Sequence, residues 1–211
     1  MIYKLDDIVR DVRIVLGDNA SAEALFEESD LETLSLDECI RSKVVEAVRR
    51  IESEAPAYLL EGGHSFGDAI YWEANGRGWI ILPDDFMRLV VFEMDDWERP
   101  VYSAVMPDTP EYAKLRSRFK GIGGTPQRPA VAIGIRSEGK VLEFYSCKST
   151  DARLARAMYR PYPSVDEDGG IDMSERCYSA VVYETAALTT TAYGLADKSQ
   201  QLETLAKSAL T

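Results

Sequence analysis

The chain reads as an α+β protein, with a helical lobe from residues 1–62 and 172–211 and a β-rich antiparallel insertion, residues 63–171, between them. Three observations predict this. Apolar residues recur at helical spacing up to Ala55 and again after Ser174. The middle instead carries short β-branched and aromatic runs separated by Gly, Pro, Asn and Asp. The amphipathic segments at the two ends each need cover for an apolar face, and packing them on one another supplies it.

The elements follow in order. Leu5, Ile8, Val9, Val12, Val15 and Leu16 give Ile2–Leu16 a helical stripe, which Gly17 stops. Gly17 to Glu38 has no Lys or Arg and many acids, so it reads as a loop with a short helical turn around Ala22–Phe26. Ser35-Leu36-Asp37-Glu38 is a capping box, in which the Ser35 hydroxyl accepts from the Glu38 amide and the Glu38 carboxylate reaches back. Leu36, Ile40, Val44, Val48, Ile51 and Ala55 then form one apolar face, with a kink expected near Ser53–Ala55 ahead of Pro56.

Strands are expected at Ala69–Trp72, Trp79–Leu82, Met87–Met94, Ala130–Arg136, Val141–Tyr145 and Leu154–Tyr159. Asn75-Gly76-Arg77-Gly78 and Ser137-Glu138-Gly139-Lys140 read as hairpin turns. Thr109-Pro110-Glu111 offers a cap and a first-turn proline for a short helix over Tyr112–Arg118. Ser174–Tyr193, apolar on nearly every face, reads as a buried helix closed by Gly194. Asp197-Lys198-Ser199-Gln200 repeats the capping-box pattern before a final stripe of Leu202, Leu205, Ala206 and Leu210.

Composition is that of an ordinary globular chain: 211 residues, 45% hydrophobic and 28% charged. A chain of this length buries about 70% of its unfolded surface, so it needs no metal or disulfide to fold. One domain with two lobes and two small domains both fit. The formal net charge of −12 disfavours a tight grip on nucleic acid or an anionic membrane, but would suit a passage through which DNA slides. Cys39, Cys147 and Cys177 are far apart and odd in number, so three free thiols in a reducing compartment are expected. There is no signal-peptide pattern and no apolar run of membrane-spanning length, which predicts a cytoplasmic protein with no membrane contact when synthesised.

Candidate chemistry is sparse. The one histidine, His64, sits in a Gly-flanked loop outside any GxSxG or HExxH frame and reads as a non-catalytic loop residue. Lys120-Gly121-Ile122-Gly123-Gly124-Thr125-Pro126 superficially resembles a phosphate loop, but lacks GxxxxGK[ST] and is followed by prolines rather than a helix start. With Arg116 and Arg118 it is the most basic stretch of the chain. It reads as an exposed loop; Arg116, Arg118, Lys120, Gly121, Gly123 and Gly124 are the residues that would touch a partner or a passing DNA backbone. Asp84-Asp85 follows Pro83 and Asp95-Asp96 follows Met94, both places where turns are expected. No ligand frame for a metal surrounds these pairs, and no cofactor, metal or catalytic residue is predicted.

The order of parts resembles head–tail connector proteins of tailed bacteriophages, including the tail-tubular adaptors of short-tailed phages. The local matches are "LPDDFMRLVVFEM", "LEFYS" followed by "ARAMYRPYP", and the terminal "CYSAVVYETAALTTTAYGLADKSQQLETLAKSAL". The resemblance spans most of the chain and rests on strand, turn and helix signals rather than on chemistry. It implies a structural ring subunit beneath a portal protein, self-associated, joined to downstream tail components, with DNA passing through the lumen without specific binding. It implies a phage or prophage gene, and a product found in the virion. The acidic stretch from Asp18 to Asp37 has no assigned place in such a ring. Two other readings stand beside it: a cellular binding or adaptor protein that uses the β lobe, and an enzyme with a carboxylate site drawn from Asp84, Asp85, Asp95 or Asp96.

Overall fold

The computed structural model describes residues 1–17, 35–117 and 123–211. Among these the order is β1 (Ile2–Lys4), α1 (Leu5–Leu16), α2 (Leu36–Glu54), β2 (His64–Ser65), β3 (Tyr71–Trp72), β4 (Gly78–Ile81), β5 (Phe86–Met94), α3 (Pro110–Leu115), β6 (Val131–Arg136), β7 (Gly139–Phe144), β8 (Leu154–Pro161), β9 (Gly170–Asp172), α4 (Tyr178–Ala192) and α5 (Ala196–Ser208). The fold is α+β, with helices towards the chain ends and antiparallel sheets in the middle. The expected turn around Ala22–Phe26 lies outside the described residues.

Two compact units divide the chain: Met1–Gly62 with Tyr162–Thr211, and Gly63–Pro161. The expected second boundary, after residue 171, moves back to Pro161. The cause is a strand pair that no periodicity announces. β1 lies antiparallel to β9, with Ile2 opposite Asp172 and Lys4 opposite Gly170, so the segment before α4 is held by the N-terminus. The same pairing shortens the first helix, which starts at Leu5 rather than Ile2.

In the terminal unit, α4 packs against α1, α2 and α5, and α1 packs against α2. Gly17 closes α1 at φ 81°, a conformation that costs glycine little. The capping box of α2 forms: the Glu38 amide donates to Ser35 Oγ at 3.3 Å, and the Ser35 amide donates to Glu38 Oε2 at 3.0 Å. α2 ends at Glu54, ahead of Pro56, and a 3-10 turn over Ala57–Leu59 follows. The buried helix α4 begins at Tyr178, after a 3-10 turn over Glu175–Cys177. Its buried threonines are satisfied within the helix, Thr185 donating to the Val181 carbonyl at 2.7 Å and Thr189 to that of Thr185 at 2.8 Å. The second expected capping box does not form. α5 starts at Ala196 with Leu195 as its N-cap and no side-chain cap. Ser199 is buried instead, donating to the Ala187 carbonyl of α4 at 3.0 Å.

The middle unit contains two antiparallel sheets, ordered β2-β8-β5 and β3-β4-β7-β6. Asn75 (φ 67°) and Gly76 (φ 69°) both lie in the left-handed region and turn β3 into β4, with the Glu73 amide donating to the Arg77 carbonyl at 2.8 Å across the loop. Arg136 faces Gly139 across the β6–β7 turn. One core joins the two sheets: Phe86, Phe92 and Tyr159 of the first, with Phe66 just after β2, meet Ile80, Leu142 and Phe144 of the second. The short helix α3 has Pro110 in its first turn, but Thr109 Oγ1 donates to the Met106 carbonyl at 2.7 Å and caps nothing. Among the described residues, no helix is long and apolar enough to cross a membrane.

Candidate functional site

β7 buries Leu142 and Phe144 in the core. Strand alternation turns Glu143, between them, to the opposite face, beside Trp79 of β4 and Ala132 of β6. Glu143 is nonetheless only 5% exposed. Room for its carboxylate comes from Gly134: a Cβ there would lie 2.9 Å from Glu143 Cδ. Arg136, at the end of β6, donates from Nε (3.2 Å) and Nη2 (2.8 Å) to Glu143 Oε1. Its Nη2 also pairs with Glu73 Oε1 at 2.8 Å. The guanidinium lies 5.0 Å from the ring centre of Trp79, itself stacked on Tyr71 at 4.1 Å. The other carboxylate oxygen, Oε2, accepts from Tyr112 of α3 at 3.2 Å and from Tyr145 just beyond β7. Helix, hairpin and sheet thus converge on one buried charge.

Burial pushes Glu143 towards its neutral form, but the hydrogen bonds from Tyr145 and Arg136 outweigh it and hold the carboxyl below its ordinary range. Tyr145 moves far up, first through burial and then through Glu143. Tyr112 rises for the same reasons in the same order. Arg136 is likewise raised, its bonds to Glu143 and Glu73 prevailing over burial. At neutral pH the floor is therefore an ionised Glu143 with every oxygen occupied, two protonated phenols and a fixed arginine. Such a carboxylate is a poor proton acceptor, and the network works as a strut that ties α3 to the sheet.

Above this floor is a cavity of about 350 Å³, lined by Glu73, Arg77, Tyr112, Arg116, Ile135, Arg136, Glu143 and Tyr145. Arg77 lies over the Tyr145 ring at 5.6 Å and donates from Nη2 to the Ser117 carbonyl at 2.6 Å. Arg116 lies over the Tyr112 ring at 5.7 Å.

Of the basic loop residues marked in the sequence, Arg116 reaches this cavity. Gly123 lies beside it, where a Cβ would stand 3.1 Å from the Leu115 carbonyl oxygen and 3.6 Å from Arg77 Nη2. Gly124 adopts φ +93° against Ser146, where a Cβ would come within 2.5 Å of the hydroxyl. Arg118, Lys120 and Gly121 lie outside the described residues. Sequence reasoning missed Glu73, Arg77, Tyr112, Arg136, Glu143 and Tyr145 as a group. One signal was present: a glutamate set inside the apolar run Val141–Phe144.

The acidic pairs act as loop anchors. The Phe86 amide donates to the Pro83 carbonyl at 3.0 Å, closing the turn that holds Asp84 and Asp85, and Asp85 Oδ1 accepts from Tyr159 at 2.7 Å. Asp95 Oδ1 accepts from the Arg153 amide at 2.9 Å, and Asp96 Oδ2 from the Lys148 amide at 2.5 Å. Among the described residues, no group of three or more His, Cys, Asp or Glu side chains is placed to hold a metal ion. His64 is exposed on β2, its ring edge-on to Tyr159 at 5.8 Å. Cys147 is buried, and burial first, then the Asp96 charge, pushes its thiol up to about 12.

Comparison with known protein families and with curated proteins found no match to this chain. The site is therefore read from its own geometry.

Proposed function

We propose that the protein is a structural ring subunit of a tailed-phage head–tail connector, an adaptor beneath the portal with DNA passing through the lumen. The observation that supports this is the plan of the chain. Helices from both termini close on one another in a single unit, and Gly63–Pro161 forms a self-contained β-rich unit spliced between them. A terminal bundle gives a rigid wall, and a β-rich insertion offers an independent surface for contacts to the portal and to tail components. Ring closure would join copies through heterologous, head-to-tail contacts. The net charge of −12 suits a lumen that must let DNA slide. The function asks no catalysis of the chain, and its destination is the virion of a phage or prophage.

The test is to mix the protein with its cognate portal ring and image the complex by electron microscopy. Added density at the narrow end of the portal is expected; its absence at saturating protein would sink the proposal. A second reading, a cellular adaptor that binds a ligand with its β unit, is favoured by the polar cavity over Glu143. Gene neighbourhood separates the two: portal, terminase and capsid genes accompany a connector and not a cellular adaptor.

A further inference from the structure

The lining of the cavity over Glu143 does not balance in charge. Arg136 serves Glu73 and Glu143 together, and Arg77 and Arg116 line the same cavity with no ion pair among the described residues. The lining thus carries one positive charge in excess, on a chain whose net charge is −12. Tyr112 and Tyr145 each spend their single proton on Glu143, Arg136 serves two carboxylates and Arg77 Nη2 donates to the Ser117 carbonyl, so the other N–H groups of Arg77 and those of Arg116 are the donors that face a guest. Each of the two arginines has its guanidinium over a tyrosine ring, at 5.6 Å for Arg77 and 5.7 Å for Arg116, which holds its plane before any guest arrives. They come from different elements, Arg77 from the β3–β4 turn and Arg116 from the end of α3. Two planar forks carried by separate elements around one cavity suit a tetrahedral group with oxygens on several sides better than a flat carboxylate.

We propose that Arg77 and Arg116 form a binding pocket for a phosphate group, free or as a monoester, over the floor made by Glu143, Tyr112 and Tyr145. The pocket's size is at the lower end of those that hold small ligands. This inference is independent of the connector proposal, since it concerns one cavity within the middle unit.

Isothermal titration of the full chain, at constant ionic strength, would use three probes: inorganic phosphate, a nucleoside monophosphate, and a single-stranded oligonucleotide without terminal phosphates. Saturable binding at one site per chain is expected. Loss of a charge-assisted contact in Arg77→Gln or Arg116→Gln should weaken it about tenfold or more. Arg156→Gln, which removes a surface partner of Glu93, should change it less than about twofold. Arg116 is exposed, so its variant keeps the fold even if Arg77→Gln does not. Binding of inorganic phosphate with the monophosphate assigns the pocket to a free or terminal phosphate, and binding of the oligonucleotide alone, whose phosphates are all diesters, would overturn that assignment. No saturable binding of any probe at about 10 mM, far above the range of useful affinities, would overturn the proposal. So would equal weakening by Arg156→Gln and Arg116→Gln.

Discussion

Replacing Glu143 by Gln keeps shape and removes charge, which isolates the electrostatic part of the strut. The wild-type carboxylate accepts from Arg136 at one oxygen and from two phenols at the other. An amide offers one acceptor and one donor. If its oxygen faces the phenols, its NH₂ meets the Arg136 fork; if reversed, it meets two phenol protons. Either way, donors face donors in a buried site. Losing one partner of a fully buried ion pair costs about 3–5 kcal/mol. The Arg136 side chain is 28% exposed and keeps Glu73, so water and a second carboxylate relieve part of this. The expected cost is about 2–3 kcal/mol, the upper part of the range for a lost hydrogen bond to a charged group. In a thermal melt that corresponds to a fall of about 4–12 °C. The sign with pH follows from a folded pKa below the ordinary 4.5. The carboxylate's contribution is complete above that ordinary value and is lost as pH falls through the lower folded one. Urea denaturation of both proteins from pH 7 downwards should therefore show the gap closing in acid. A Glu143→Gln protein as stable as wild type at pH 7 would refute the account of the site as a charge-based strut.

Other outcomes follow from the same structure. Gly76→Ala would place a Cβ against the backbone carbonyl of Cys147 at φ 69°; it should cost about 1–3 kcal/mol by urea denaturation, whereas Asn75→Gly should be well tolerated at φ 67°. Cys39, Cys147 and Cys177 are all buried, so a thiol reagent should react slowly with the native protein and label all three once it is unfolded. Glu184 behaves oppositely to Glu143: burial raises its pKa above the ordinary 4.5, against the pull of Arg50. Its ionisation therefore removes stability as pH rises through the raised folded value. Glu184→Gln should gain on wild type as pH climbs from 4 to 7, measured as urea midpoints; a gap independent of pH would refute this.

Sequence legibility tracked the range of the interactions. The capping box at Ser35, the αL stop at Gly17 and the Asn75-Gly76 hairpin are decided by residues a few positions apart, and each formed as read. The pattern at Asp197 looked equally local and failed, because α5 begins at Ala196 with Leu195 as its N-cap and Asp197 falls inside the first turn. The strands β1, β2 and β9 are two or three residues long and carry no periodicity to detect. The acidic pairs were legible as turn residues from Pro83 and from the strand end at Met94, though their partners were not.

By itself, then, the sequence determined the longer helices and strands, their order and much of the chemistry that punctuates them, because those depend on neighbours along the chain. Tertiary structure alone decided where the units divide, through the pairing of Ile2–Lys4 with Gly170–Asp172. It alone assembled Glu73, Arg77, Tyr112, Arg116, Arg136, Glu143 and Tyr145 around one cavity. Arg116 stood out in the basic stretch and Glu143 in an apolar run, but nothing along the chain linked either to the other five. Only the register of β4, β7 and β6, with α3 laid against them, brings their charges within hydrogen-bonding range, and such proximity is a property of the folded chain.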